Sequence, residues 1–152
     1  MTSPGPHSAQ EWLITLPLPP ADNHCHQTAH YGRYPTKAYK TWLDIAAPLL
    51  RKKLGNVQPD TTDWWSLHIW VWNKPRGYDV QNLIKPVCDL LSGAQVDDRQ
   101  KIVKPGGLYD DDKRVKHVSI ELCGTHDEDP RIIISAERTE PPVKWKKAKK
   151  RP

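Results

Sequence analysis

The run Arg76-Gly-Tyr-Asp-Val-Gln-Asn-Leu-Ile-Lys85, with Asp97 and Asp98 twelve residues further on, sets an acid, amides and a lysine at close spacing and returns two more acids across an apolar segment. Such a set can hold a hard cation. Magnesium takes oxygen ligands in a near-octahedral shell and keeps several waters, so two or three carboxylates hold it against a phosphate substrate. A nearby lysine adds positive charge where a phosphodiester under attack becomes more negative. The chemistry open to these residues is phosphodiester hydrolysis. Taken singly, each has a plainer role. Asp79 reads as a helix cap, Asp89 as a solvated or ion-paired helix position, and Asp97-Asp98 and Asp110 to Asp112 as acidic turns.

These residues need elements to position them. Trp64 to Trp72, WWSLHIWVW, is the strongest strand signal, apolar on both alternating faces and therefore central. It runs into the turn Asn73 to Gly77, so the acidic motif follows the end of a central strand, where open α/β sheets place ligands. Asp79 to Ser92 reads as a helix with Asp79 as N-cap. Val80, Leu83, Val87, Leu90 and Leu91 share one arc, and Asp79, Asn82, Lys85 and Asp89 share the opposite one. Pro86 leaves two options, a kink there or a helix that becomes regular only around Lys85.

Glu11 to Leu18 predicts an edge strand ended by Pro19-Pro20, and Ala21 to Tyr34 a loop. A helix opens at Pro35 or Thr36, with Ala38, Trp42, Ile45, Leu49 and Leu50 on its apolar face, a kink or break at Pro48 and a stop at Gly55. Lys101 to Lys104, Val115 to Leu122 and Arg131 to Ser135 complete the strands. The expected fold is a small α/β (α+β) domain, a mixed sheet of four to five strands packed with two main helices. Its span is 11–136, between a disordered 1–10 and a basic tail, 137–152.

At 152 residues, with 37% hydrophobic and 27% charged side chains, the chain fits one globular domain. No apolar run nears the roughly 20 residues of a membrane span, and the first ten residues lack the pattern of a secretory signal. Cys25, Cys88 and Cys123 are too few and too scattered for a disulfide framework or a structural zinc site. A cytoplasmic protein is the expectation. Residues 143–152 hold six of the 23 basic residues and no acid, leaving 17 basic against 18 acidic side chains in 1–142. A cationic tail on a near-neutral body fits a polyanion partner, since each phosphate neutralised releases counterions. Lys144, Lys146, Lys147, Lys149, Lys150 and Arg151 are the expected contacts, with Trp145 available to stack. His26 and His30 have a zinc-ligand spacing but lack a second pair, so their loop, with Arg33 and Lys37, reads better as a DNA-backbone contact. The tryptophans of the central strand read as core or dimer interface, with a base-stacking platform as the alternative.

Asp79-Val-Gln-Asn-Leu-Ile-Lys85, the following Pro-Val-Cys-Asp-Leu-Leu, Val96-Asp-Asp98, and Leu16-Pro-Leu-Pro-Pro20 with Asn23 resemble the signature of the RusA family of Holliday junction resolvases. The similarity spans roughly 11–136. It implies a homodimer that binds four-way DNA junctions and makes paired nicks with Mg2+, Mn2+ being a substitute, in the nucleoid of a bacterial or phage-infected cell. Carried over, Asp79, Asn82, Lys85 and Asp98 are the catalytic set. Asp79 and Asp98, with Asp97 and Gln81, are the metal positions, and Arg76 is a DNA contact. Gln81 stands where the family has an acid. Three readings accommodate it: another carboxylate (Asp97, Asp89 or one of Asp110 to Asp112) supplies the charge, Gln81 ligates weakly in a slow enzyme, or the protein binds junctions without cutting them. Outside the enzyme class, the alternative is a single-strand nucleic-acid binder.

Overall fold

β-Branched and aromatic residues dominate Trp64–Trp72, and such side chains favour a pleated, buried surface over a helix. The computed structural model describes residues 12–29, 32–55, 57, 59–92, 95–96, 102–104, 107–125 and 128–143. Its strands are β1 (Trp12–Pro17), β2 (His26–Ala29), β3 (Gly32–Pro35), β4 (Trp64–Trp72), β5 (Gln95–Val96), β6 (Ile102–Lys104), β7 (Val115–Cys123) and β8 (Arg131–Thr139). The helices are α1 (Lys37–Leu54) and α2 (Ile84–Leu91), with short 3₁₀ turns at Asp22–His24, Val80–Leu83 and Asp112–Arg114. A four-stranded mixed sheet has the order β1-β8-β4-β7, and β2-β3 and β5-β6 form two small ribbons. The fold is of the mixed α+β class, as expected.

β4 is interior, antiparallel to β8 and parallel to β7. Trp65, Leu67, Ile69 and Val71 are buried, and the alternate residues are half-buried. The buried side chains of β4, with Ile14 and Leu16 of β1 and Ile132, Ile134 and Ala136 of β8, form one core with α1 and α2. β1 is an edge strand that closes on Pro17, a strand-end position of the kind that tolerates proline. β8 runs to Thr139, into the stretch read from sequence as tail.

Two expectations need correction, and one open choice is decided. The described residues of 21–34 are not a plain loop: they hold a 3₁₀ turn and the β2-β3 ribbon, closed by Thr36 donating its hydroxyl to the His24 carbonyl at 2.7 Å. α1 begins and ends as expected, with Thr36 accepting from the Tyr39 N–H and Gly55 at a φ of 62°, and it continues across Pro48. Its buried face is rotated, however, to Tyr39, Trp42, Ala46, Leu50 and Leu54, leaving Ala38, Ile45 and Leu49 exposed. Periodicity weighted by hydropathy missed Tyr39 and Ala46. Both lie on the stripe with Trp42, whose indole donates to the Pro17 carbonyl at 2.9 Å and turns that stripe toward β1. The helix expected from Asp79, finally, is regular only over Ile84–Leu91, which is the second of the two options left open at Pro86. That proline is the third residue of α2, in the first turn, where N–H groups have no intrahelical partner.

Candidate active site

Leaving β4, the chain reverses at Asn73, a buried non-glycine residue at a φ of 61°. Asparagine tolerates this left-handed conformation better than most residues. Its carboxamide bonds in two directions: Nδ2 donates to the Asp129 carbonyl and Oδ1 accepts from the Thr125 N–H, each at 3.0 Å. The ends of β4 and β7 are thereby tied together. Tyr78 then anchors the return by donating its hydroxyl to the Pro19 carbonyl at 2.8 Å. Asp79 caps the 3₁₀ turn, Oδ1 accepting from the Gln81 N–H at 3.0 Å, and α2 starts one turn further on.

This register splits the polar stripe between two adjoining clefts. One, of about 280 Å³, lies past the end of β4 and is lined by Asn23, His24, Arg76, Gly77, Asp79 and Asn82, among others. The second, of about 330 Å³, is lined by Gln81, Asn82, Ile84, Lys85, Cys88, Asp112, Val115 and Val118. Asn82 borders both. The second cleft is not at the strand end where the sequence places the site. α2 runs back along the sheet, and Val115 and Val118 stand level with Trp65 and Leu67 in the first half of β4.

In the second cleft Lys85 Nζ lies 2.7 Å from Asp112 Oδ2 and 2.9 Å from Asp89 Oδ1. The hydrogen bonds that Lys85 donates to the Asp112 and Asp89 carboxylates hold its ammonium well above the ordinary lysine range, keeping it charged. The reciprocal bond from Lys85 holds Asp112 below the usual carboxylate range, despite an opposing effect of burial. Cys88 lines the same cleft, but burial, aided by the charges of Asp112 and Asp89, pushes its thiol up to about 11. It stays protonated at neutral pH and offers no thiolate.

Asp112 arrives from a sequence-distant turn: Asp110 and Asp111 are exposed there, as expected of an acidic turn, while Asp112 is half-buried and pairs with Lys85. Gly107 and Leu108 donate to the carbonyls of Ser92 and Leu91 at 2.9 Å each, fastening the segment to the end of α2. A Cβ at Gly107 would strike those same carbonyls. Fully buried Tyr109 donates its hydroxyl to the Cys88 carbonyl at 3.0 Å and packs beside Trp65. Beyond it, Asp111 caps the turn through the Lys113 N–H, and Arg114 bonds Asp110 and the carbonyls of Thr61 and Thr62.

Of the residues singled out from sequence, Gln81, Asn82 and Lys85 share one cleft, and Asp79, Asn82 and Arg76 share the other. Lys37 lines a separate groove between α1 and Pro17, Leu18 and Pro20. Arg33 lies on β3 and not in a loop. Asp97, Asp98, Lys144, Lys146, Lys147, Lys149, Lys150 and Arg151, with residues 1–10, lie outside the described residues. Among the described residues no three of His, Cys, Asp and Glu are arranged to hold a metal ion. The described part of the expected magnesium set, Asp79 with the uncharged Gln81, is therefore not a site by itself, and Asp112 and Asp89 are engaged with Lys85. Asn23 and His24 line the cleft of Asp79 without a role there having been read from sequence, and Asp112, read from sequence as one of the carboxylates that could stand in for Gln81, pairs with Lys85. No described helix is long and apolar enough to cross a membrane. No protein-family model matches the chain, and no curated protein matches its sequence.

Proposed function

We propose that this chain is a RusA-like, magnesium-dependent, structure-specific endonuclease that nicks four-way DNA junctions as a homodimer. The observation that carries the reading is the convergence of Gln81, Asn82 and a charged Lys85 in one cleft with Asp112, next to the cleft that holds Asp79. Lys85 meets the negative charge that builds on a phosphodiester under attack. Asn82, bordering both clefts, can orient a phosphate or a ligand carboxylate. Arg76 and the basic tail supply backbone affinity. A divalent cation, when bound, would activate water and neutralise charge; Asp79 with Asp98 and Asp97 are the residues proposed to hold it. An isologous dimer carries two equivalent sites, matching the two-fold relation of strands in a four-way junction.

Gln81 favours a second reading, a junction-binding protein that does not cut, because an amide brings no charge to a magnesium site. Nicking of a labelled mobile four-way junction, with Mg2+ and with Mn2+, separates the two. Cleavage by the unaltered chain supports the resolvase. Cleavage by the Gln81→Asp variant alone supports the binder, and binding by both without cleavage by either removes the nuclease reading.

A further inference from the structure

We propose that Asp112 is a positioning residue for Lys85: its carboxylate, reaching across from the turn before β7, fixes the Lys85 ammonium over the cleft bordered by Gln81 and Asn82. The consequence for nicking rests on the nuclease reading. The positioning itself does not.

Lysine ends in a compact charge on a four-carbon stem, and restricting that stem costs up to about 2 kcal/mol of rotamer entropy. The partner on the same helix cannot supply the restraint alone. Lys85 and Asp89 form an i,i+4 pair with the base nearer the N-terminus, the weaker of the two orientations, worth only a few tenths of a kcal/mol. Asp112 closes the arrangement from a second direction, at the shorter distance of 2.7 Å.

The turn that carries Asp112 also has its place fixed independently of Lys85. The Gly107 and Leu108 N–H groups, the buried Tyr109 hydroxyl, the Asp111 cap and the Arg114 bonds to Thr61 and Thr62 all hold it, and none of them involves Lys85. Asp112 is thus presented to the lysine and not drawn in by it. The lysine side chain is 55% exposed, and ion pairs so exposed add roughly 0–1 kcal/mol to stability. The effect of the pair is on where the charge sits more than on whether the chain folds. A pre-placed cation avoids reorganisation when a phosphate arrives, and misplacement by about 1 Å can cost a hundredfold in rate.

The test is competitive acetylation of the intact protein at pH 8 with an N-hydroxysuccinimide acetate, each lysine read by peptide mass spectrometry. It compares the unaltered chain with Asp112→Asn, Asp112→Glu and Asp110→Asn. Only the free amine reacts, so losing one opposite charge should raise Lys85 reactivity about fivefold in Asp112→Asn. Asp112→Glu should stay near the unaltered rate. Asp110→Asn loses the Arg114 partner without touching Lys85 and should also leave it slow. Unchanged Lys85 reactivity in Asp112→Asn, or an equal rise in Asp110→Asn, overturns the proposal.

On a four-way junction, Asp112→Asn should slow single-turnover nicking about tenfold with unchanged junction affinity, and Asp112→Glu should recover most of the rate. Equal losses of rate and affinity would also overturn the positioning role. If the unaltered chain cuts no junction, the nuclease reading fails while the acetylation result still decides whether Asp112 positions Lys85.

Discussion

At the scale of the single residue, one atom type separates an acid from Gln81. An amide oxygen can approach a cation, but it brings no charge, and magnesium sites are built on charge. Under the proposed reading, Gln81→Asp should raise the junction-nicking rate by about tenfold or more, a gain of roughly 1.4 kcal/mol in the transition state. A single-turnover assay at saturating Mg2+ reads this directly; a rate that stays level or falls means that position 81 does not face the reacting phosphate. Asp98→Asn should abolish cleavage while junction binding persists in a gel-shift assay. Retained nicking would show that the wrong carboxylates have been assigned. The residue types of this site were legible in the sequence, because Asp79, Asn82 and Lys85 carry their chemistry in their identities. The partner of Lys85 from outside its own helix was not. Three consecutive aspartates look alike on paper, and only the fastening of Gly107, Leu108 and Tyr109 to α2 decides that Asp112 is the one that reaches the lysine.

Elements decide where those residues go. The strong strand, the edge strand and both helices follow from periodicity and punctuation, since Thr36, Gly55 and the alternation of β4 are local signals. Long-range bonds set what local signals could not. The indole bond of Trp42 rotates α1, and Pro86 in the first turn delays α2, so that Asp79 and Lys85 border different clefts. Two substitutions test the supports. Asn73→Ala removes two hydrogen bonds from a buried carboxamide and puts a Cβ without polar compensation at positive φ. It should cost about 3 kcal/mol and lower the thermal midpoint by roughly 6–12 °C. A fall under about 2 °C would mean that the β4 and β7 ends hold without it. Gly107→Ala forces the segment off α2, so it should destabilise by about 2 kcal/mol and raise Lys85 acetylation, because Asp112 travels with that segment. Loss of stability with Lys85 still protected would show that the Tyr109, Asp111 and Arg114 bonds hold the turn without the Gly107 contact.

For the whole molecule the relevant terms are the pH dependence of folding and the distribution of charge. Burial acts to raise Asp60, but the N–H groups of Thr62 and Asp63, the Arg138 charge and the Trp65 indole outweigh it, and its carboxyl lies below the usual range. Asp112 lies below its usual range as well, chiefly through Lys85. A carboxyl depressed in the folded state contributes stability that is present above its unfolded value, near pH 4, and is lost as pH falls through the folded value. Urea unfolding should therefore show stability declining below about pH 4, and Asp60→Asn should flatten that decline. An unchanged acid limb would place the linkage elsewhere.

The remaining term is the charge of residues 143–152, which carry six of 23 basic residues beside a body of net −1. A near-neutral body has little long-range attraction for a polyanion, so under the proposed reading most nonspecific affinity for DNA should reside in that run. Deleting 143–152 should weaken binding to duplex, junction and single strand alike. It should also reduce the slope of log affinity against log salt by roughly 0.9 for each duplex phosphate that the run neutralises. A weakening confined to the junction would instead make the run a shape reader. Unchanged affinity and slope would assign the grip on DNA to the clefts around Arg76 and Lys85.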